Sequence, residues 1–273
     1  GLTEDSREVR PGYLFAALQG AAAHGRDFVD DAKRRGAVAV LSAGDLGADP
    51  GLAHIVSSDA RVDFAEAASA FYPRRPSVLV GITGTNGKSS TVDFLRQIWA
   101  SAGKRAASLG TLGAIWDGGV IDLGQTTADP VALHRTLQML ADAGVTHAAM
   151  EVSSHGLDQE RVAGIGFDAA AFTNLTQDHF DYHETMEAYR EAKLRIWLYV
   201  KGGGIAVINA DSPEADAFAA RAKRPLQSSG GLLDPIVASL KLVSAGWRAD
   251  ADGLKIVEIQ PRPNGQTLTL RWR

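Results

Sequence analysis

The residues able to do chemistry gather in three stretches. In the first, an apolar strand from Val78 to Thr83 runs into Gly84-Thr85-Asn86-Gly87-Lys88-Ser89-Ser90, and an amphipathic helix follows from Ser89 to Ala102. Glycines let a backbone curl so that its N–H groups point inward, and a helix N-terminus adds partial positive charge. Lys88 then suits the β- and γ-phosphates of a nucleotide, and the Ser89 hydroxyl suits Mg²⁺. The spacing departs from the standard phosphate loop, because Gly81 stands six residues before Gly87 and Ile82 fills the next position. A plain glycine-rich turn shares some of these features. Strand, Gly-Lys-Ser triplet and helix together read as an ATP phosphate cradle.

The second stretch places Glu151 at the end of a strand, Ala148-Ala-Met-Glu-Val152, followed by Ser153-Ser154-His155. In an open parallel sheet the strand C-termini form the ligand crevice, where a carboxylate can face phosphates. By itself such a Glu fits a site and a solvated loop equally well. A further strand end, Phe172 to His183, carries Asp178, His179, Asp181 and His183. Mg²⁺ prefers oxygen ligands, so imidazole there is unusual, and a polar helix-capping turn is the competing reading. The third stretch is the helix around Lys193, with Tyr189, Ile196 and Trp197 at helical spacings that part-bury its stem. Spacing alone does not separate that lysine from an ordinary surface one.

Elements must position these groups. Tyr72-Pro73-Arg74-Arg75-Pro76 punctuates the chain, and proline biases its predecessor away from helix. Before it, short apolar runs at 13–18, 37–41 and 54–56 mix with helical patterns at 27–35 and 61–72, as in a small α/β domain. After it, buried strands are predicted at 78–83, 106–109, 147–152, 169–173 and 205–209, with helices at 89–102, 130–143 and 185–199. That alternation implies a mostly parallel sheet covered on both faces. Residues 227–233 read as loop, and 241–257 with 267–272 as β-hairpin material.

Composition narrows the classes. The 273 residues are 45% hydrophobic and 22% charged, enough to bury a core, and suggest about two domains. A net charge of −4 argues against broad nucleic-acid binding while leaving a local anion site open. With no Cys, disulfides and thiolate chemistry are excluded. No apolar run reaches the length of a membrane span, and Glu4 and Asp5 oppose a signal peptide, so a cytoplasmic location is expected. His24, His54, His134 and His147 read as surface or packing groups, and Met139 and Met150 as core.

Thr83 to Ser89, Thr126-Thr127, Glu151 to His155 followed by Arg161, and Asn174 to His179 together resemble the Mur ligases of peptidoglycan synthesis. Asp5-Ser6-Arg7 and the stretch to Val40 resemble the N-terminal domain of the same family. The match is nearest to the members that add the third residue of the peptide. The resemblance implies an N-terminal UDP-substrate domain at 1–76 and an ATP-binding domain at 77–273, incomplete and without the family's C-terminal domain. It implies ATP-dependent amide formation on UDP-MurNAc-L-Ala-D-Glu through an acyl phosphate, which an incoming amino acid, with a lean to meso-diaminopimelate, then attacks. Lys88, Glu151, His179 and Lys193 would be catalytic, with Lys193 carbamylated. Mg²⁺ would be held by Ser89, Glu151, His179 and Lys193. Ser6 and Ala21, Ala22 and Ala23 would take the uridine end, and Gln125, Thr126, Thr127, Ser153, Gln159 and Arg161 the muramoyl-dipeptide side. Hydroxyls, an amide and a guanidinium suit such anionic groups. Monomeric action is expected, with binding rather than ligation by this length of chain. The related D-Ala-D-Ala-adding ligase and a non-catalytic nucleotide or UDP-sugar binding module are the alternatives.

Overall fold

Alternating apolar residues build a first sheet with a helix against each face. The strands β1 (Leu2–Thr3), β2 (Tyr13–Ala17), β3 (Ala37–Ser42) and β4 (Ala53–Val56) lie in that order, all parallel. Successive side chains on a strand point to opposite faces. Phe15, Ala17 and Val40 therefore pack with Val29 and Ala32 of α1 (Val29–Arg34), whereas Ala16 and Leu41 pack with Phe64 and Ala68 of α2 (Ala60–Phe71). Asp59 caps α2 by accepting from the Val62 N–H at 3.3 Å.

Among the described residues the second sheet holds ten strands and begins with β5 (Val78–Thr83). The helix α3 (Lys88–Ser101) leads to β6 (Ala106–Gly110), β7 (Gly113–Trp116) and β8 (Gly119–Ile121), which form an antiparallel meander at one edge. The helix α4 (Pro130–Asp142) returns the chain to β9 (His147–Glu151), and α5 (Ser154–Asp158) precedes β10 (Phe167–Phe172). Then come α6 (Met186–Leu194), a 3₁₀ turn at Arg195–Tyr199, β11 (Val200–Asn209), α7 (Ala215–Ala222) and β12 (Lys241–Gly246). The chain closes with β13 (Leu254–Arg262) and β14 (Gly265–Arg271). The spatial order is β14-β13-β12-β11-β10-β5-β9-β6-β7-β8. This computed structural model describes residues 1–20, 23–47, 50–177, 182–224, 240–249, 253–262 and 265–272.

Both faces of the large sheet are covered, as its continuous apolar strands require. Ile82 and Ala149 meet Val92 and the partly buried Leu95 and Trp99 of α3. On the other face Leu79 and Met150 share a core with Leu133, Leu137 and Leu140 of α4, and the Phe172 ring stacks on Phe218 of α7 at 3.5 Å. The central strands and helices fall within a few residues of their expected positions. At the far edge the pairing differs from expectation: β12 and β13 are parallel neighbours, and the hairpin is β13–β14. The chain leaves β5 toward β6 and β9 on one side and places β10 on the other, so the order reverses at β5. In such sheets the crevice beyond the strand C-termini at this point is where ligands bind.

Polar and apolar contacts tie the two sheet units together around Gly164. The Gly164 carbonyl accepts from Ser69 Oγ at 3.1 Å and from Arg75 Nη1 at 2.7 Å, and Arg75 Nη2 donates to Ser69 Oγ at 2.9 Å. Arg74 pairs with Asp142 at 2.9 Å. Val62 and Ala65 of α2 pack on Ala163, with Tyr199 beside them. Close by, His134 is fully buried and its Nε2 lies 3.2 Å from the Ala163 carbonyl. Burial lowers its pKa to about 4 from 6.5. A histidine held neutral in the fold takes up its proton first when unfolded, so its stabilisation is complete above pH 6.5 and drains away as pH falls toward 4. We expect up to about 3 kcal/mol to be lost across that window. Denaturant melts of wild type and His134→Gln at pH 7 and pH 4.5 measure it: the wild type should lose more than the variant.

Candidate functional site

The phosphate loop is locked between two strand ends. β5 stops at Thr83, and Gly84 adopts a φ of +145° with no room for a side chain, because a Cβ there would fall 1.9 Å from Thr173 Oγ1. Gly87, at φ +83°, caps the N-terminus of α3. The segment after β10 braces the loop along its length. Thr85 N–H donates to the Asn174 carbonyl at 2.8 Å, Asn86 N–H to Asn174 Oδ1 at 3.0 Å, and Thr173 Oγ1 to the Asn86 carbonyl at 2.7 Å. Thr85 Oγ1 in turn accepts from the Thr176 N–H at 3.0 Å. Part of the 172–183 stretch is thus a support for the loop. Asp178, His179 and Asp181 lie outside the described residues, as do Ala21, Ala22 and the 227–235 segment.

Two lysines converge on this loop. Lys88 Nζ donates to the Gly84 carbonyl at 2.9 Å and to that of Thr85 at 2.8 Å. Lys193 Nζ donates to the same Gly84 carbonyl at 3.0 Å and sits 4.4 Å over the Tyr189 ring. Tyr189 also places its hydroxyl 3.2 Å from Thr85 Oγ1. Lys193 is 1% exposed, deeper than its helical spacing alone suggests. The Lys88 and Ser89 side chains are half-buried, while Ser90 is exposed.

Glu151 ends β9, the strand beside β5, and is 1% exposed. Its Oε1 accepts from the Thr111 N–H at 2.9 Å, whereas its Oε2 is buried with no hydrogen-bond partner. Gly110 makes room for this carboxylate: a Cβ there would come 2.0 Å from Oε1. Ser89, Asp93, Ser108 and Glu151 line one small recess. A buried anionic oxygen lacking a donor, beside a hydroxyl, fits a hard oxygen-seeking cation such as Mg²⁺. Among the described residues no three His, Asp or Glu side chains cluster as metal ligands, so the recess offers Glu151 and Ser89.

A polar group continues from Glu151 along the crevice. Thr127 Oγ1 donates to the Glu151 carbonyl at 3.1 Å and accepts from the Ser153 N–H at 2.9 Å, and Ser153 Oγ caps α5 through the Gly156 N–H at 3.0 Å. Thr126 and Thr111 hydroxyls lie 3.0 Å apart. Arg161 donates to the Thr127 carbonyl at 2.7 Å, to Gln159 Oε1 at 2.7 Å and to Gln125 Oε1. The structure therefore brings together Gln125, Thr126, Thr127, Ser153, Gln159 and Arg161. Ser6 and Ala23 stay on the first sheet unit, with Ser6 buried in a 3₁₀ turn that Asp5 caps.

Residues that spacing did not single out face this group. Desolvation raises the Glu4 carboxyl above its ordinary pKa, Asp129 adds to the rise, and Arg161 and Arg61 oppose it. Desolvation likewise lowers Arg161, with Glu4 and Asp129 opposing. Tyr182 donates to Asp158 at 2.7 Å and accepts from Gln159 at 3.2 Å; burial first, then its bond to Asp158, raise its pKa. Glu4 and Arg61 come from the first unit, Asp129 and Arg161 from the second, so the crevice wall is shared. Its acidic and basic members are far apart in sequence; Glu4 stands two residues before Ser6 and Asp129 two residues after Thr127, each just outside a marked stretch, while Arg61 lies near none.

Comparison with known proteins agrees with this geometry. A family profile described as the Mur ligase middle domain matches residues 82–229, and one described as Mur ligase family, catalytic domain, matches residues 1–79. The UDP-N-acetylmuramoyl-L-alanyl-D-glutamate–2,6-diaminopimelate ligase of Rhizobium meliloti is 48% identical over 225 residues, covering 82% of this chain and 46% of that protein. The enzyme of the same name from Caulobacter vibrioides is 42% identical and covers 99% of this chain and 54% of its own length. A solved structure of a ligase so named superposes with a TM-score of 0.82 at 30% identity, covering all of this chain and 53% of the other. The Thermotoga maritima MurF ligase in complex with ADP shares the fold, with a TM-score of 0.55 at 17% identity. The chain spans about half the length of the curated relatives it matches. With the middle-domain profile covering more than half of it and the phosphate loop, Glu151 and Arg161 groups in one crevice, the chain belongs to the Mur ligase family.

Proposed function

We propose that this chain supplies the nucleotide- and UDP-substrate-binding half of an ATP-dependent ligase that adds the third peptide residue, meso-diaminopimelate, to UDP-MurNAc-L-Ala-D-Glu. The observation that carries the reading is the convergence of Lys88 and Lys193 on Gly84, beside the recess of Ser89 and Glu151. Relatives that carry this activity by name at 42–48% identity support the choice of amino acid and dipeptide. Residues 1–76 form the UDP-substrate unit in this reading and 77–273 the ATP unit. Cytoplasmic, monomeric action belongs to the same reading. No helix among the described residues is long and apolar enough to cross a membrane, and this is compatible with that location.

Two anions must be brought together and a poor electrophile activated, so fixed cations carry most of the catalysis. Lys88 exchanges its two loop carbonyls for β- and γ-phosphate oxygens while the loop and α3 N–H groups hold the rest. Mg²⁺, held by Ser89 and Glu151, with His179 and a carbamylated Lys193 for a second ion, would offset the phosphate charge. The glutamyl carboxylate oxygen attacks the γ-phosphorus and ADP leaves. The amine of the incoming amino acid then attacks the acyl phosphate, and inorganic phosphate departs. Arg161, Gln159 and the Thr126–Thr127 hydroxyls bind and orient the anionic dipeptide side, and Ser6 with Ala21 to Ala23 the uridine. Carbamylation of Lys193 would form an N–C bond to CO₂ with loss of two protons from the ammonium, replacing one of two converging cations by an anion.

Hydroxylamine trapping tests the reading. With ATP, Mg²⁺ and UDP-MurNAc-L-Ala-D-Glu, a dipeptide-dependent hydroxamate and matching ADP release are expected. Hydroxamate formed only with the UDP-tripeptide substrate would favour the D-Ala-D-Ala-adding type. Tight binding of both ligands without any hydroxamate would favour a binding module.

A further inference from the structure

Glu160 stands between Gln159 and Arg161, yet its side chain goes elsewhere. It is 4% exposed, its carboxylate is paired with the Arg195 guanidinium, and it accepts from the Tyr199 hydroxyl. It is also the one non-glycine residue with a positive φ among those described, at 57°. A left-handed conformation is costly for a residue with a Cβ and persists where the surroundings over-determine it, commonly at ligand sites. Here it reverses the chain within three residues. Gln159 and Arg161 reach each other, Gln125, Thr127 and Tyr182 on the crevice side. Glu160 reaches the opposite way, to the 3₁₀ turn at Arg195–Tyr199.

That turn joins two further parts of the site. Arg195 follows Lys193 by two residues on the same helical run, and Tyr199 packs on Val62 and Ala65 of α2 with Ala163. Burial pushes the Tyr199 hydroxyl up to about 12, so it remains a proton donor to the carboxylate across the physiological range. One buried carboxylate thus clamps the Arg161 turn, the lysine-bearing helix and the helix of the first unit that carries Arg61. A buried charge with both partners in place is rigid, and losing either partner leaves it uncompensated.

We propose that Glu160 is a positioning residue for the substrate crevice, its clamp on Arg195 and Tyr199 holding Gln159 and Arg161 at the angle that receives the UDP-muramoyl dipeptide. The proposal rests on the substrate reading above. It is tested by calorimetric titration of the whole chain with UDP-MurNAc-L-Ala-D-Glu and, separately, with Mg²⁺ and ADP. Glu160→Gln keeps the size but not the charge, and Glu160→Gly relaxes the backbone while removing the clamp. Both are expected to weaken the dipeptide by about tenfold, as small misplacement of an orienting group does, and to leave ADP affinity within twofold. Arg195→Met, which touches neither ligand, should do the same, whereas Arg195→Lys should recover much of the loss. Variants that melt earlier but bind the dipeptide as wild type does would show a merely structural role and overturn the proposal. Absence of dipeptide binding by the wild type would overturn the substrate reading and this inference together. If Glu160→Gln does not fold, Glu160→Gly, with a backbone suited to its φ, decides.

Discussion

Gly84→Ala is expected to cost about 3 kcal/mol or more of stability and to abolish nucleotide binding. The new methyl would collide with Thr173 Oγ1 at 1.9 Å, and the φ of +145° is closed to a residue with a Cβ. Relief by sliding the loop is blocked, since Thr85 and Asn86 are bonded to Asn174 on one side and Lys88 and Lys193 to the Gly84 carbonyl on the other. Gly87→Ala is the comparison. Its φ is +83° but nothing lies within 4 Å of the added Cβ, so only about 1 kcal/mol of backbone strain is expected. Thermal melts with and without ADP separate the two: a Gly84→Ala protein with wild-type melting and ADP stabilisation would contradict the packing described.

Lys193→Met is expected to fold with a near-normal melting temperature and to lose acyl-phosphate formation by about a thousandfold. Methionine fills a comparable volume beside the Tyr189 ring, and replacing a buried polar group by an apolar one of similar shape is commonly tolerated. What it removes is the group that converges with Lys88 on Gly84 and that carbamylation would turn into an oxygen ligand. Added bicarbonate should not restore the reaction in Lys193→Met. Lys193→Ala should lose activity equally but also melt earlier, because it leaves a cavity worth about 2–5 kcal/mol. A fully active Lys193→Met enzyme would end the catalytic assignment, whatever its stability.

Much of this was readable from local sequence. The strand at Val78–Thr83 and the helix beyond it declare themselves because a continuous apolar run, two glycines and an amphipathic pattern fall together. The same holds for Asp129-Pro130, where an N-cap and a first-turn proline open α4. Strands β7 and β8 are not legible in the sequence, since each is four residues or fewer and begins at a glycine; β7 buries Ala114 in the core, while β8 is exposed and held by edge pairing. Of the hairpin material expected at 241–257 with 267–272, residues 254–257 and 267–271 do lie in the β13–β14 hairpin, whereas 241–246 does not. Alternation marks a strand but says nothing about which neighbour it pairs with, and here β12 joins β11 in parallel. Lys193 looked like a surface lysine because its partners, Gly84 and the loop, lie 109 residues away. Glu160 is unmarked in the sequence for the same cause: Arg195 and Tyr199 are remote from it, and nothing in the string signals a left-handed backbone at a glutamate.

The Gly164 carbonyl, gripped by Ser69 and Arg75 while Arg74 holds Asp142, has a thermodynamic consequence for whatever enters the shared crevice. The rotational freedom of one unit against the other is surrendered during folding, so a ligand touching both walls has little tumbling left to arrest. Its capture should follow one exponential phase whose rate climbs linearly with concentration, with no slower closure of these two walls trailing behind. The heat-capacity change should match the ligand's own contact surface, leaving no surplus for walls drawn together.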